Sequence, residues 1–225
     1  MQPVALFVLG LVLVVGIGVC GWVAEKKRRG RIRLFCASRG LTYQSGRDFS
    51  FDSRFAAFGD VLRHGSRRYA RHQMTGEVDG FRLHCCEYHY ETYSRDSKGR
   101  RSTHHHWSTL VLLRPSFELQ SLCIRPEGLF DKLKGAFGWD DIDFASAEFS
   151  RAFHVSAPDR DWAYGVIQPD TMDVLMRYRG MEFRMEDGWL MVRVKRRLRV
   201  DALPGMIRAG NELLSGIPDF MKKVS

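Results

Sequence analysis

Two short stretches hold most of the side chains able to bind a metal or move a proton. They are Leu83-His84-Cys85-Cys86-Glu87-Tyr88-His89-Tyr90-Glu91 and Thr103-His104-His105-His106-Trp107. Both read as β-strands, joined by the polar segment Ser94–Arg101. Strand side chains alternate, so residues two apart share a face. A hairpin symmetric about Ser97-Lys98 sets His89 opposite His106. It then gathers Glu87, His89, Glu91, His104 and His106 on one face. Imidazoles and carboxylates at cross-strand distances are ligands for Zn²⁺, which makes His89, His104 and His106 the candidate metal ligands. Register decides the matter, because a slip of one residue sends His104 and His106 to the other face. The same residues also fit a solvated strand face backed by Tyr88, Tyr90 and Trp107. A third reading is a proton sensor, since imidazoles titrate near neutrality.

Other clusters have plainer readings. Adjacent Cys85 and Cys86 point to opposite faces of a strand and read as buried free thiols. Asp140-Asp141-Ile142-Asp143 lacks the spacing of a calcium loop and reads as turn and cap carboxylates. Lys195-Arg196-Arg197, with Arg193 and Arg199, could meet phosphate or lipid but reads as a solvated strand end. There is no Walker loop, no Gly-x-Gly-x-x-Gly, no Gly-x-Ser-x-Gly and no Cys-x-x-Cys. No catalytic residue is nominated. The expectation is a protein that is not an enzyme and needs no cofactor, Zn²⁺ being the one metal the histidines suggest.

The elements that must position these residues begin with a membrane segment. Pro3 to Val23 contains no charged side chain, and about 20 apolar residues suffice to cross a bilayer. Lys26, Lys27, Arg28, Arg29, Arg31 and Arg33 follow at once. The positive-inside rule then puts the N-terminus outside and the body in the cytoplasm of a bacterial inner membrane, as a single-pass protein. The same six residues form a basic cluster for anionic lipid headgroups. They also account for most of the net charge of +9: residues 34–225 carry only +4, from 29 basic and 25 acidic residues. The high pI is therefore a topology signal, and no nucleic-acid partner is expected. Lipids met through residues 3–33 and a protein of unknown identity are the expected partners.

The rest divides into a basic juxtamembrane helix at 24–40, with Ile32, Leu34, Phe35 and Ala37 along one side, and a body at 41–220. Residues 44–66 read as loop with a helical turn at 55–58. Strands are expected at 68–78, 81–92, 102–113 and 117–124, forming an antiparallel meander. Helices are expected at 126–137, 159–167, 169–178 and 200–214, and extended segments at 142–144 and 151–155. Asp79-Gly80 and Asp187-Gly188 are hairpin dipeptides. The fold class is α+β: an N-terminal transmembrane helix, then a cytoplasmic domain of antiparallel β-hairpins with packed helices. That domain is one unit or two lobes, 41–137 and 138–220.

Several phrases occur in a telling order. Ala70-Arg71-His72-Gln73-Met74-Thr75-Gly76 precedes Glu87-Tyr88-His89-Tyr90, Thr103-His104 and Ile124-Arg125-Pro126-Glu127-Gly128. Ile142-Asp143-Phe144 and Glu148-Phe149-Ser150-Arg151-Ala152-Phe153-His154-Val155 follow, then Trp189-Leu190. In this order they resemble a group of uncharacterised bacterial membrane-anchored proteins with a domain of unknown function. The resemblance spans most of 68–215. It implies membrane anchoring and a shared fold, and it implies no activity.

Overall fold

The computed structural model describes residues 2–97, 99–127, 139 and 141–222. One helix, α1 (Gln2–Ala37), runs 36 residues without a break, about 54 Å at the usual rise per residue. Its apolar part, from Phe7 to Val23, is unburied among the described residues and is long and apolar enough to cross a membrane. The helix stops at Gly40, whose φ of +65° is the left-handed conformation glycine tolerates. There the Leu41 N–H returns to the Cys36 carbonyl at 2.9 Å, satisfying one of the helix's orphan acceptors.

The body is built on one antiparallel sheet of eight strands. They are β1 (Thr42–Gln44), β2 (Ser66–Val78), β3 (Phe81–Arg95), β4 (Arg101–Arg114), β5 (Leu122–Pro126), β6 (Phe153–Ser156), β7 (Glu182–Glu186) and β8 (Trp189–Val194). Their order is β1-β2-β3-β4-β8-β7-β5-β6. The meander therefore holds only through β4. β5 leaves it and pairs with β6 and β7, while β8 takes the place beside β4. Hydrophobic patterning finds strands but does not choose between two apolar neighbours, and this exchange joins both sequence stretches in one sheet. Asp79 and Gly80, and Asp187 and Gly188, all have positive φ, as the tight β2–β3 and β7–β8 turns demand.

Each face of the sheet has its own cover. On one face lie the end of α1, α4 (Ala147–Ala152), α5 (Arg160–Val166), α6 (Pro169–Arg177) and α7 (Leu203–Ser215). On the other lie α2 (Phe51–Arg54), a 3₁₀ turn (Ala56–Phe58) and α3 (Gly59–Leu62). Composition predicts mostly loop over 44–66. In fact Phe51, Phe55, Phe58, Val61 and Leu62 seal Cys86, Tyr88, Leu110 and Leu112. The helix Ala147–Ala152 takes in Arg151 and Ala152, the first two residues of the extended segment expected at 151–155, because Ser146 caps its first turn by accepting the Phe149 N–H at 3.3 Å. The helix expected at 126–137 lies almost wholly outside the described residues, as does Asp140.

The face that α1 presents also differs from expectation. Ile32, Phe35 and Cys36 are buried at helical spacing, while Leu34 is 73% exposed. The juxtamembrane helix is thus part of the core, and the body cannot be considered apart from it.

Candidate functional site

The β3–β4 hairpin pairs His89 with Trp107, Tyr90 with His106, Glu91 with His105 and Thr92 with His104. This is one residue away from the symmetric register. His104 and His106 consequently lie on the face opposite His89. His106 Nε2 there meets Thr92 Oγ1, and His104 Nε2 meets Ser94 Oγ, both at 2.8 Å. The set His89, His104 and His106 is not assembled; His105, which the sequence did not single out, takes their place.

His89, Glu91 and His105 bring one ligand atom each to within 4.8 Å of one another. His89 Nε2 lies 3.1 Å from His105 Nδ1, and His105 Nδ1 lies 3.5 Å from Glu91 Oε1. Tetrahedral zinc, with bonds of about 2.0–2.2 Å to nitrogen and oxygen, sets its ligand atoms roughly 3.3 Å apart. His89 is buried, its ring against Tyr69 and Trp107. Burial lowers its pKa, keeping the imidazole neutral as a ligand must be. Tyr93 Oη donates to Glu91 Oε2 at 3.0 Å and orients that carboxylate. His105 is exposed and leaves the set open to solvent.

Two residues along β3 toward the core lies a group that sequence reading missed. The Glu87 carboxylate is completely buried. Its Oε1 accepts Arg71 Nε at 2.8 Å and Arg71 Nη2 at 2.6 Å. Its Oε2 accepts the Leu198 N–H at 2.9 Å and pairs with Arg28 of α1. Arg28 also donates to the Leu198 carbonyl at 2.9 Å. Burial pushes the Glu87 pKa up, but hydrogen bonds and charge from Arg28 and Arg71 outweigh it and hold the carboxyl below its ordinary range. The basic cluster therefore divides: Lys26, Lys27, Arg29, Arg31 and Arg33 are exposed, while Arg28 turns inward. No local motif announces this, because the partners lie 59 and 16 residues apart.

A second buried network sits on the opposite face. Arg184 pairs with Asp60 at 2.5 Å and Glu182 at 2.9 Å. Arg193 reaches Glu182 at 3.1 Å and Ser108 Oγ at 3.3 Å. Arg193, read from sequence as part of a solvated strand end, is in fact buried. Cys85 and Cys86 are free and lie in the two different cores. Burial raises both thiol pKa values, which leaves them unreactive.

No family model matches the sequence, and no curated protein matches it. Among solved structures, a crystal structure of the mycobacterial trehalose monomycolate transport factor A, TtfA, is similar, with a TM-score of 0.59. The alignment covers 85% of this chain and 98% of that one, at 14% sequence identity. At that identity the likeness is one of architecture. The chain shares its α+β fold with this transport factor.

Proposed function

We propose that this chain is a non-enzymatic binding or scaffold module, tethered to the bacterial inner membrane with its body in the cytoplasm. The observation that carries the reading is the Arg28–Glu87 contact. A residue just past the apolar segment is committed to the centre of the sheet. The helix that continues from the span is thus packed into the body, and a partner would meet the body close to the bilayer. The basic residues after the span favour the cytoplasmic side. A fold shared with a trehalose monomycolate transport factor fits an accessory that helps move or organise a membrane component. The test is side-specific labelling of a cysteine placed at exposed Ser116. Modification from the cytoplasmic side alone is expected; modification from outside intact cells would sink the tether reading.

The distances among His89, Glu91 and His105 support a second reading, a metal- or pH-responsive body. Elemental analysis of the purified chain and its melting with added Zn²⁺ decide it. Binding near one equivalent with a raised melting temperature supports it. A metal-free protein indifferent to Zn²⁺ removes it.

A further inference from the structure

The direction in which α1 leaves the body can be read from its contacts. Glu25 Oε1 meets His72 Nε2 at 3.1 Å, whereas Leu41, past the helix end, packs on Gly76. Passing from Glu25 to Leu41 therefore follows β2 from His72 towards Gly76. The apolar run leaves the opposite way, on the side where β2 begins. In an antiparallel sheet that is also where β3 turns into β4 and where β8 ends.

Charge is sorted along this axis. The span side carries exposed Arg67, Arg95, Arg101, Lys195, Arg196 and Arg197 against one exposed carboxylate in the β3–β4 connection, Asp96. The far end carries exposed Glu77, Asp79, Glu118 and Asp187, with Arg82 and Arg114 beside them. The body's modest net charge thus hides an end of net positive charge on the side from which the apolar run leaves. Aromatic rings share it: Tyr93 is 39% exposed beneath the Arg101 guanidinium, and Phe49 is 66% exposed against Tyr69. Tyrosine and tryptophan are enriched at membrane–water interfaces.

This end also contains a built recess. β8 pairs with β4 only from Thr109 to Leu113, so Arg101–Ser108 has no strand neighbour on that side among the described residues. The chain beyond β8 folds back there, its Arg196 carbonyl held by Thr109 Oγ1 at 3.0 Å. A notch of about 310 Å³ results, lined by His105, Trp107, Ser108, Lys195, Arg196 and Arg197. The Arg197 guanidinium lies 4.3 Å from the centre of the Trp107 ring, and that of Arg71 lies 4.5 Å from it.

We propose that this notch docks on phosphate-bearing headgroups of anionic lipids in the leaflet from which α1 emerges. The proposal rests on α1 spanning the membrane and adds a second lipid contact, remote in sequence from residues 3–33. Cations near an anionic surface attract it within a Debye length, and guanidinium groups match phosphate oxygens in pairs.

The test is amide hydrogen exchange on the full chain in nanodiscs, with phosphatidylcholine alone or mixed with phosphatidylglycerol. Residues 102–108 and 195–199 are expected to exchange about tenfold more slowly, or slower still, in the anionic discs, and 0.5 M salt should erase the difference. K195E/R196E/R197E should abolish that protection while β5–β7 stays protected as before. K195Q/R196Q/R197Q should weaken it if charge reversal disturbs folding. Equal exchange in both discs overturns the proposal, as does protection that survives the triple variants. Protection by inorganic phosphate with neutral discs would reassign the notch to a free anion and overturn the lipid assignment. Nanodiscs expose both leaflets, so a failure here is distinct from a failure of cellular topology.

Discussion

Glu87 concentrates the logic of this protein in one carboxylate. Taking a carboxylate out of water is costly, and four hydrogen bonds, three from two guanidinium groups and one from the Leu198 N–H, offset that cost. Glu87→Gln keeps the shape but takes from Arg71 its carboxylate partner and leaves Arg28 with Glu25, 3.8 Å away. Removing one partner of a buried pair typically costs about 3–5 kcal/mol, and denaturant unfolding in detergent should show a loss of that order. A loss under about 1 kcal/mol, the size of an exposed pair, would contradict the assignment. Acid acts on neighbouring groups. His72 and His84 are buried, and chiefly for that reason their pKa values fall to about 4 from 6.5. His72 is held by Tyr43 Oη and His84 by Gln73 Oε1, at 2.7 and 3.1 Å. The unfolded chain protonates these rings first. Stability is therefore full above pH 6.5 and declines as pH falls towards 4, by about 3 kcal/mol for each histidine. Glu87, with its depressed pKa, adds a further loss at lower pH. Unfolding curves at pH 7.5, 6 and 5 test the window, and His84→Gln should flatten the slope. A stability that rose on acidification would contradict burial of neutral rings.

Among the elements, the β3–β4 hairpin shows what a sequence can and cannot specify. Its strands were legible, since Cys85, Leu110 and Leu112 belong to apolar runs, and Asp79-Gly80 marked the preceding turn. Its register was not. A polar connection lacking a tight-turn dipeptide leaves the pairing to the core, and the core sets Cys85 against Val111 and Glu87 against Thr109. His105 enters the site and His106 leaves it for that reason alone. The buried pairs were illegible on different grounds. Glu87 and Arg28, like Asp60 and Arg184, sit in segments of ordinary polar composition and meet only through the sheet order. The register makes a discriminating prediction about metal. His105→Ala and Glu91→Gln should each abolish any Zn²⁺-dependent rise in melting temperature, while His104→Ala with His106→Ala should leave it unchanged. The opposite pattern would restore the symmetric pairing and contradict the hairpin as described.

For the whole molecule, the consequence is that the basic half of α1 and the body fold as one. Charge alone draws a boundary at residue 34, since it separates the basic cluster from a nearly neutral remainder. The structure cuts differently. A chain beginning at 34 lacks Arg28 and Ile32; the first leaves Glu87 with Arg71 as its remaining cationic partner, and the second leaves a hole beside Phe35 and Cys36. A fully buried isoleucine contributes about 1.5–3 kcal/mol, and the broken pair about 3–5 kcal/mol. Set against a usual stability of about 5–15 kcal/mol, such a chain should melt far below physiological stability or aggregate. A chain beginning at 24 keeps both residues and sheds only the apolar span, so it should fold and stay soluble. Comparing 24–225 with 34–225 by thermal unfolding therefore separates two pictures of the protein. Equal melting temperatures would mean that the basic helix is a passive leash. A large deficit in the shorter chain would mean that the segment leaving the membrane is itself a structural element of the sheet.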